Sequence, residues 1–148
     1  MAINRIIFPQ ADSINKIIDM ILNFSNDELV DREYFVKYFN VVPRQYYYYF
    51  DALVFLGVLE VNGKITSLGN VLRKFDNPNG EICHVLRNAI VNKPVFKQVY
   101  EYFRENNKFP DKKYISELIT RYYKLSVSTS ERRTTTVKKW VKWSLDVI

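Results

Sequence analysis

One cysteine, one histidine, four glycines and five prolines are all that this chain of 148 residues carries of those types. Each shortage closes off an explanation. Cys83 has no partner for an internal disulfide, and a lone thiol fits a reducing compartment. His84 alone excludes paired-histidine metal sites and histidine-centred nuclease chemistry. Cys83 and His84 are adjacent rather than spaced for ligation, so both are expected to pack in or beside the core. Low Gly and Pro content, with 47% hydrophobic and 26% charged residues, excludes wholesale disorder. No Gly-rich phosphate loop occurs. Pro110-Asp111 followed by Glu131-Arg132-Arg133 lacks the lysine that a metal-dependent nuclease places two residues after its acid, and the segment reads helical rather than β. The expectation is therefore no enzyme, no metal and no cofactor. No run of about 18 apolar residues is present, so no transmembrane helix is expected. The apolar burst in MAINRIIFPQ is too short for a signal-peptide core, which predicts a cytoplasmic protein.

Aromatic residues, by contrast, make up 16% of the chain, eleven of them tyrosines. Tyrosine packs like an apolar residue and keeps a polar tip for solvent or phosphate. The net charge is +6, and its placement matters more than its size. Residues 1–93 hold ten Lys and Arg against ten Asp and Glu, whereas residues 94–148 hold twelve against six. The whole excess sits in the C-terminal third, which points to a polyanionic partner.

Hydrophobic spacing divides the chain into short helices. After a short strand or arm at residues 3–8, Asp12 or Ser13 caps a helix with Ile14, Ile17, Ile18, Ile21 and Leu22 on one face. A second helix starts near Asp31, with Tyr34, Phe35 and Tyr38 inward. Pro43 opens a third, with Tyr49, Ala52, Leu53 and Leu56 inward and Gly57 as its left-handed cap. Val58–Val61 and Lys64–Thr66 then read as two strands around a type I′ turn at Asn62-Gly63. Thr66 or Ser67 starts the next helix. Further helices follow at 81–91, 94–106 and 111–124, before the stretch SVSTSERRTTTVKKWVKWSLDVI. In that stretch Ser128 and Glu131 form a capping box, Val137, Val141 and Ser144 line an apolar stripe, and Trp140 flanks it. The predicted fold is mainly α with a small β-hairpin, in two winged-helix-like lobes packed together. The first lobe spans residues 1–76, a connector 77–93 and the second lobe 94–148.

A helix with an apolar back and a basic front suits a DNA major groove. Arg132 and Thr135 point outward and are candidate base readers, with Thr129 and Ser130 beside them. Ser128 offers a hydroxyl at the helix start, where free amides seat phosphate. Lys138, Lys139 and Lys142 lie further along and are expected to meet backbone phosphate. Arg133 falls near the apolar margin and is expected to be structural, paired to an acid such as Glu117. On the helix from Pro43, Arg44, Gln45 and Tyr47 are the candidate base readers, because Arg and Gln make bidentate contacts to guanine and adenine. Tyr46, Tyr48 and Tyr49 either fill the junction between lobes or, for Tyr48, meet phosphate. Asp51 is expected on the exposed arc with Tyr47, where it repels phosphate. Lys64 reaches phosphate from the hairpin or simply solvates the turn.

Arg44-Gln45…Tyr48-Tyr49…Ala52…Leu56-Gly57-Val58, then Thr66…Leu68-Gly69, resembles a winged-helix module of bacterial restriction-modification and related DNA-processing proteins. Pro94-Val95-Phe96 with Ser128-Thr129…Arg132-Arg133…Thr136-Val137…Trp140…Trp143 is similar to the second module of the same proteins. The resemblance covers residues 14–145 and implies double-stranded DNA binding by tandem winged helices, often beside a nuclease or methyltransferase. No such effector domain is present in this chain. The alternative is a winged-helix adaptor that uses the aromatic patch Tyr46–Phe50 to dock a protein without touching DNA. RNA binding has less support, since no aromatic strand motif for stacking bases is visible.

Overall fold

Local capping sets the ends of the helices. The computed structural model describes residues 7–24, 33, 36–37, 42–75 and 80–147. α1 (Ile14–Leu22) begins where the Ser13 hydroxyl accepts from the Lys16 amide at 3.1 Å. α2 (Pro43–Phe55) opens on proline, whose missing N–H is harmless in a first turn. It closes in a Schellman arrangement: the Gly57 amide bonds Val54 O at 3.0 Å and the Val58 amide bonds Leu53 O at 2.9 Å. Gly57 takes φ +81° there, as its placement after the apolar stripe predicts. α3 (Ser67–Leu72), α4 (Glu81–Val91), α5 (Phe96–Asn106), α6 (Lys112–Tyr123) and α7 (Val127–Asp146) complete the set with both ends described. Asp111 caps α6 by accepting from the Tyr114 amide at 2.8 Å. The helix expected from Asp31 lies mostly outside the described residues, as do residues 76–79 of the expected boundary loop.

The expected hairpin wing is the main correction to the fold. Among the described residues there is no strand and no sheet; the chain is helical, and 58–66 forms one isolated antiparallel bridge, Leu59 to Ile65. The reason lies in the neighbours. Val58 is committed to the end of α2, while Thr66 caps α3 by accepting from the Gly69 amide at 3.0 Å. Between those helix ends the Thr66 amide still bonds Val58 O at 3.0 Å and the Glu60 amide bonds Lys64 O at 2.8 Å, which makes one bridge and no strand. The turn also shifts by one residue. Gly63 donates to Glu60 O at 2.8 Å and carries φ +90°, so Val61 and Asn62 occupy the turn and Gly63 follows it. Gly69 allows α3 to sit close, since a Cβ there would stand 2.5 Å from Val58 O.

α7 packs against α4, α5 and α6, and α1 against α2 and α3. The two groups share one hydrophobic cluster running from Phe8 to Val141. Five aromatic rings join them. Phe8 lies 4.8 Å from Tyr123, 5.7 Å from Phe96 and 5.8 Å from Phe55, while Trp140 lies 5.4 Å from Phe96 and 6.2 Å from Phe55. Edge, tilted and stacked ring pairs of this kind add about 0.5–1.5 kcal/mol beyond area burial. The N-terminal strap is also tied down by hydrogen bonds: the buried Trp140 indole donates to Ala11 O at 2.7 Å, and Thr136 donates to Asp12 Oδ1 at 2.8 Å.

Candidate nucleic-acid interface

α7 starts two residues earlier than the sequence suggests. Ser126, not Ser128, is the cap, and its hydroxyl accepts from the Thr129 amide at 3.2 Å. The Ser128–Glu131 capping box is therefore absent, and Ser128 is an exposed residue of the first turn. One face of the helix is fully committed to the interior through Thr134, Val137, Trp140, Val141 and Ser144. The other presents Ser128, Arg132, Thr135, Lys139 and Lys142 to solvent, with Lys138 half-buried at its edge.

Two of the expected contacts change character. Ser130 is wholly buried and accepts from the Thr120 hydroxyl at 2.8 Å, so it joins α6 to α7 and leaves the set of base readers. Lys139 stays exposed but pairs with Asp12 at 3.3 Å across two accessible side chains. Such a pair is worth about 0–1 kcal/mol and can be exchanged for a phosphate, though it lowers the local positive charge. Asp12 stands 127 positions away, and nothing in the pattern around Lys139 pointed to it. Thr129 is half-buried; its hydroxyl receives bonds from Ser126 at 2.9 Å and Arg132 at 3.2 Å, which orients the Arg132 guanidinium along the helix start.

On α2, Arg44 and Gln45 are exposed and Tyr47 is 48% exposed. Arg44 Nε donates to the Tyr48 hydroxyl at 2.8 Å, one turn on, and Tyr48 itself is half-buried. Tyr46 and Tyr49 belong to the core. Asp51 is buried rather than exposed beside Tyr47, because that flank of α2 turns toward the interior with Phe55. The charge expected to repel phosphate is thus withdrawn. Lys64 is exposed at the reversal, its amide held by Asn62 Oδ1 at 3.0 Å.

Arg133 departs most from expectation. It is half-buried, and among the described residues it has neither the Glu117 carboxylate nor any other ion-pair or hydrogen-bond partner. Burial holds its pKa below the usual arginine range; the adjacent Arg132 charge adds to this, and the nearby Tyr48 phenol opposes it. Glu117 instead lines an open groove between α6 and α7, with Lys112, Lys113, Arg121, Val127 and Glu131. Cys83 is half-buried, with its thiol pKa raised by burial, while His84 is exposed rather than packed. No trio of His, Cys, Asp or Glu gathers as a metal site among the described residues.

A family model described as a domain of unknown function (DUF7226) matches residues 16–148, which takes in every helix defined above except the first two residues of α1. The chain belongs to that family. No curated protein and no solved structure matches it. Among the described residues, no helix is long and apolar enough to cross a membrane.

Proposed function

We propose that this protein binds double-stranded DNA, with the exposed arc of α7 against the duplex and the start of α2 beside it. The observation that carries this reading is the division of α7. Arg132, Thr135, Lys139 and Lys142 share a solvent-facing arc, while the opposite face is anchored by buried Val137, Trp140 and Val141. A rigid helix with a basic front can enter a major groove without unfolding its own support. Arg132 and Thr135 read base edges; Lys138, Lys139 and Lys142 hold backbone phosphates; Arg44, Gln45 and Tyr47 supply the contacts of α2. The resemblance noted in the sequence supports a role in restriction-modification or a related defence process, alongside a nuclease or methyltransferase partner protein.

The test is a salt titration of duplex binding followed by anisotropy, with pooled duplexes to select a preferred site. Log K should fall by roughly 0.9 for each phosphate contacted. Replacing Lys138 and Lys142 together with glutamine should flatten that slope by nearly two contacts. An affinity for duplex that does not change between low and moderate salt overturns the proposal. A second reading, a protein-docking adaptor, draws support from the groove between α6 and α7, where Val127 is 66% exposed. Under that reading the same double variant leaves partner binding intact.

A further inference from the structure

Along one flank of α7, four side chains bond in turn to the segment that leads into α1. Thr136 donates to Asp12 Oδ1 at 2.8 Å and Lys139 to Asp12 Oδ2 at 3.3 Å. The Trp140 indole donates to Ala11 O at 2.7 Å and the Trp143 indole to Asn15 Oδ1 at 3.3 Å. Lys139 also belongs to the solvent-facing arc, with Thr135 four positions before it and Lys142 three after. A carboxylate from the other end of the chain therefore lies against the middle of the surface proposed to meet DNA.

The two partners of this ion pair differ in freedom. Asp12 follows the buried Ala11 and takes one of its bonds from the buried Thr136, so its carboxylate is fixed from the protein side. Lys139 is 56% exposed on a flexible four-carbon stem and can turn its ammonium toward another anion. It cannot carry the carboxylate away with it. A phosphate seated on that ammonium stands within about 6 Å of Asp12, where like charges repel.

We infer that Asp12 is a built-in competitor for phosphate at Lys139, holding down the electrostatic affinity of α7 for duplex. This rests on the DNA reading above and adds a regulation of the same surface. Lys142 is then a full phosphate ligand and Lys139 a discounted one. Attraction to phosphate is blind to sequence, so the discount falls on every duplex alike and leaves base contacts a larger share of the binding.

Anisotropy titrations of a mixed-sequence duplex at several salt concentrations test this with Asp12→Asn, Lys139→Gln and their double variant. Asparagine keeps an oxygen for the Thr136 hydroxyl and removes only the charge. Asp12→Asn should bind about fivefold tighter at low salt, with a slope of log K steeper by roughly 0.9. The control is Asp19→Asn, the same charge change roughly 9 Å further along α1, where screening at 0.1 M salt is already strong. Its gain should be clearly smaller, and the gain from Asp12→Asn should fall to that level once Lys139 is glutamine. A gain that matches the control, or that persists without Lys139, overturns the proposal.

A comparison that leaves Asp12 in place guards against misfolding of its variant. Lys142→Gln should flatten the parent's slope by roughly 0.9, and Lys139→Gln by clearly less. Equal flattening overturns the competitor. A parent that binds duplex while Asp12→Asn binds no tighter defeats the competitor alone, and the DNA reading stands. Binding by Asp12→Asn where the parent binds nothing supports both. Binding by neither defeats the DNA reading, and the competitor with it.

Discussion

At the scale of single residues, burial separates side chains that look alike in the sequence. Ser128, Thr129 and Ser130 are consecutive hydroxyls, yet one is exposed, one half-buried and one wholly enclosed. Ser130→Ala should leave duplex affinity unchanged and lower the urea-unfolding free energy by about 1–3 kcal/mol, since Thr120 loses its acceptor in a closed space. A loss of DNA binding without loss of stability would restore Ser130 to the interface. Tyr123 offers a test by pH. Burial pushes its phenol up to about 12, against a usual value near 10. The folded state favours the neutral form, so this contribution is complete below about pH 10 and is lost as pH climbs toward 12. Tyr123→Phe should make the urea midpoint fall less steeply across that window. It should also lower stability at neutral pH slightly, through loss of the bond to Pro94 O at 2.9 Å. That Arg132, Thr135 and Lys142 face outward was legible from helical spacing alone. The pairing of Lys139 and the inward turn of Ser130 were not, because the deciding partners are supplied by other elements.

At the scale of elements, the ends of helices decide more than their middles. Ser126 rather than Ser128 caps α7, so Ser126→Ala should cost about 1 kcal/mol of stability, while Ser128→Ala should change it by only a few tenths. Chemical unfolding of the two variants compares them directly, with amide exchange over residues 127–131 reporting local fraying. The sequence permits either serine, since both precede an apolar stripe. The backbone makes the choice: the Ser130 amide bonds Ser126 O at 2.8 Å, so the first turn already closes on Ser126. The same competition removed the expected wing. Alternation in Val58–Val61 and Asn62-Gly63 reads as a hairpin when taken alone. The flanking residues gain more by closing α2 and opening α3, and one bridge is what remains.

At the scale of the molecule, one core spans the chain from the strap at Phe8 to α7. Phe8→Ala should therefore lower stability by about 3–5 kcal/mol despite its place near the N-terminus. Far-ultraviolet and near-ultraviolet signals of the parent should lose structure in a single shared transition. Two resolved transitions would mean that the helices before and after residue 80 unfold independently. Helix positions and their inward stripes were determined by the amino-acid order itself, because capping and 3.6-residue spacing act within a few positions. The concentration of positive charge in the last third was equally plain. Which charges remain available was decided only by folding: Asp12 reaches Lys139 across 127 positions, and Ser130 is drawn inward by Thr120 of the neighbouring helix. Contacts of that span leave no local trace, since they depend on how aromatic rings from five segments settle together rather than on the residues beside each charge.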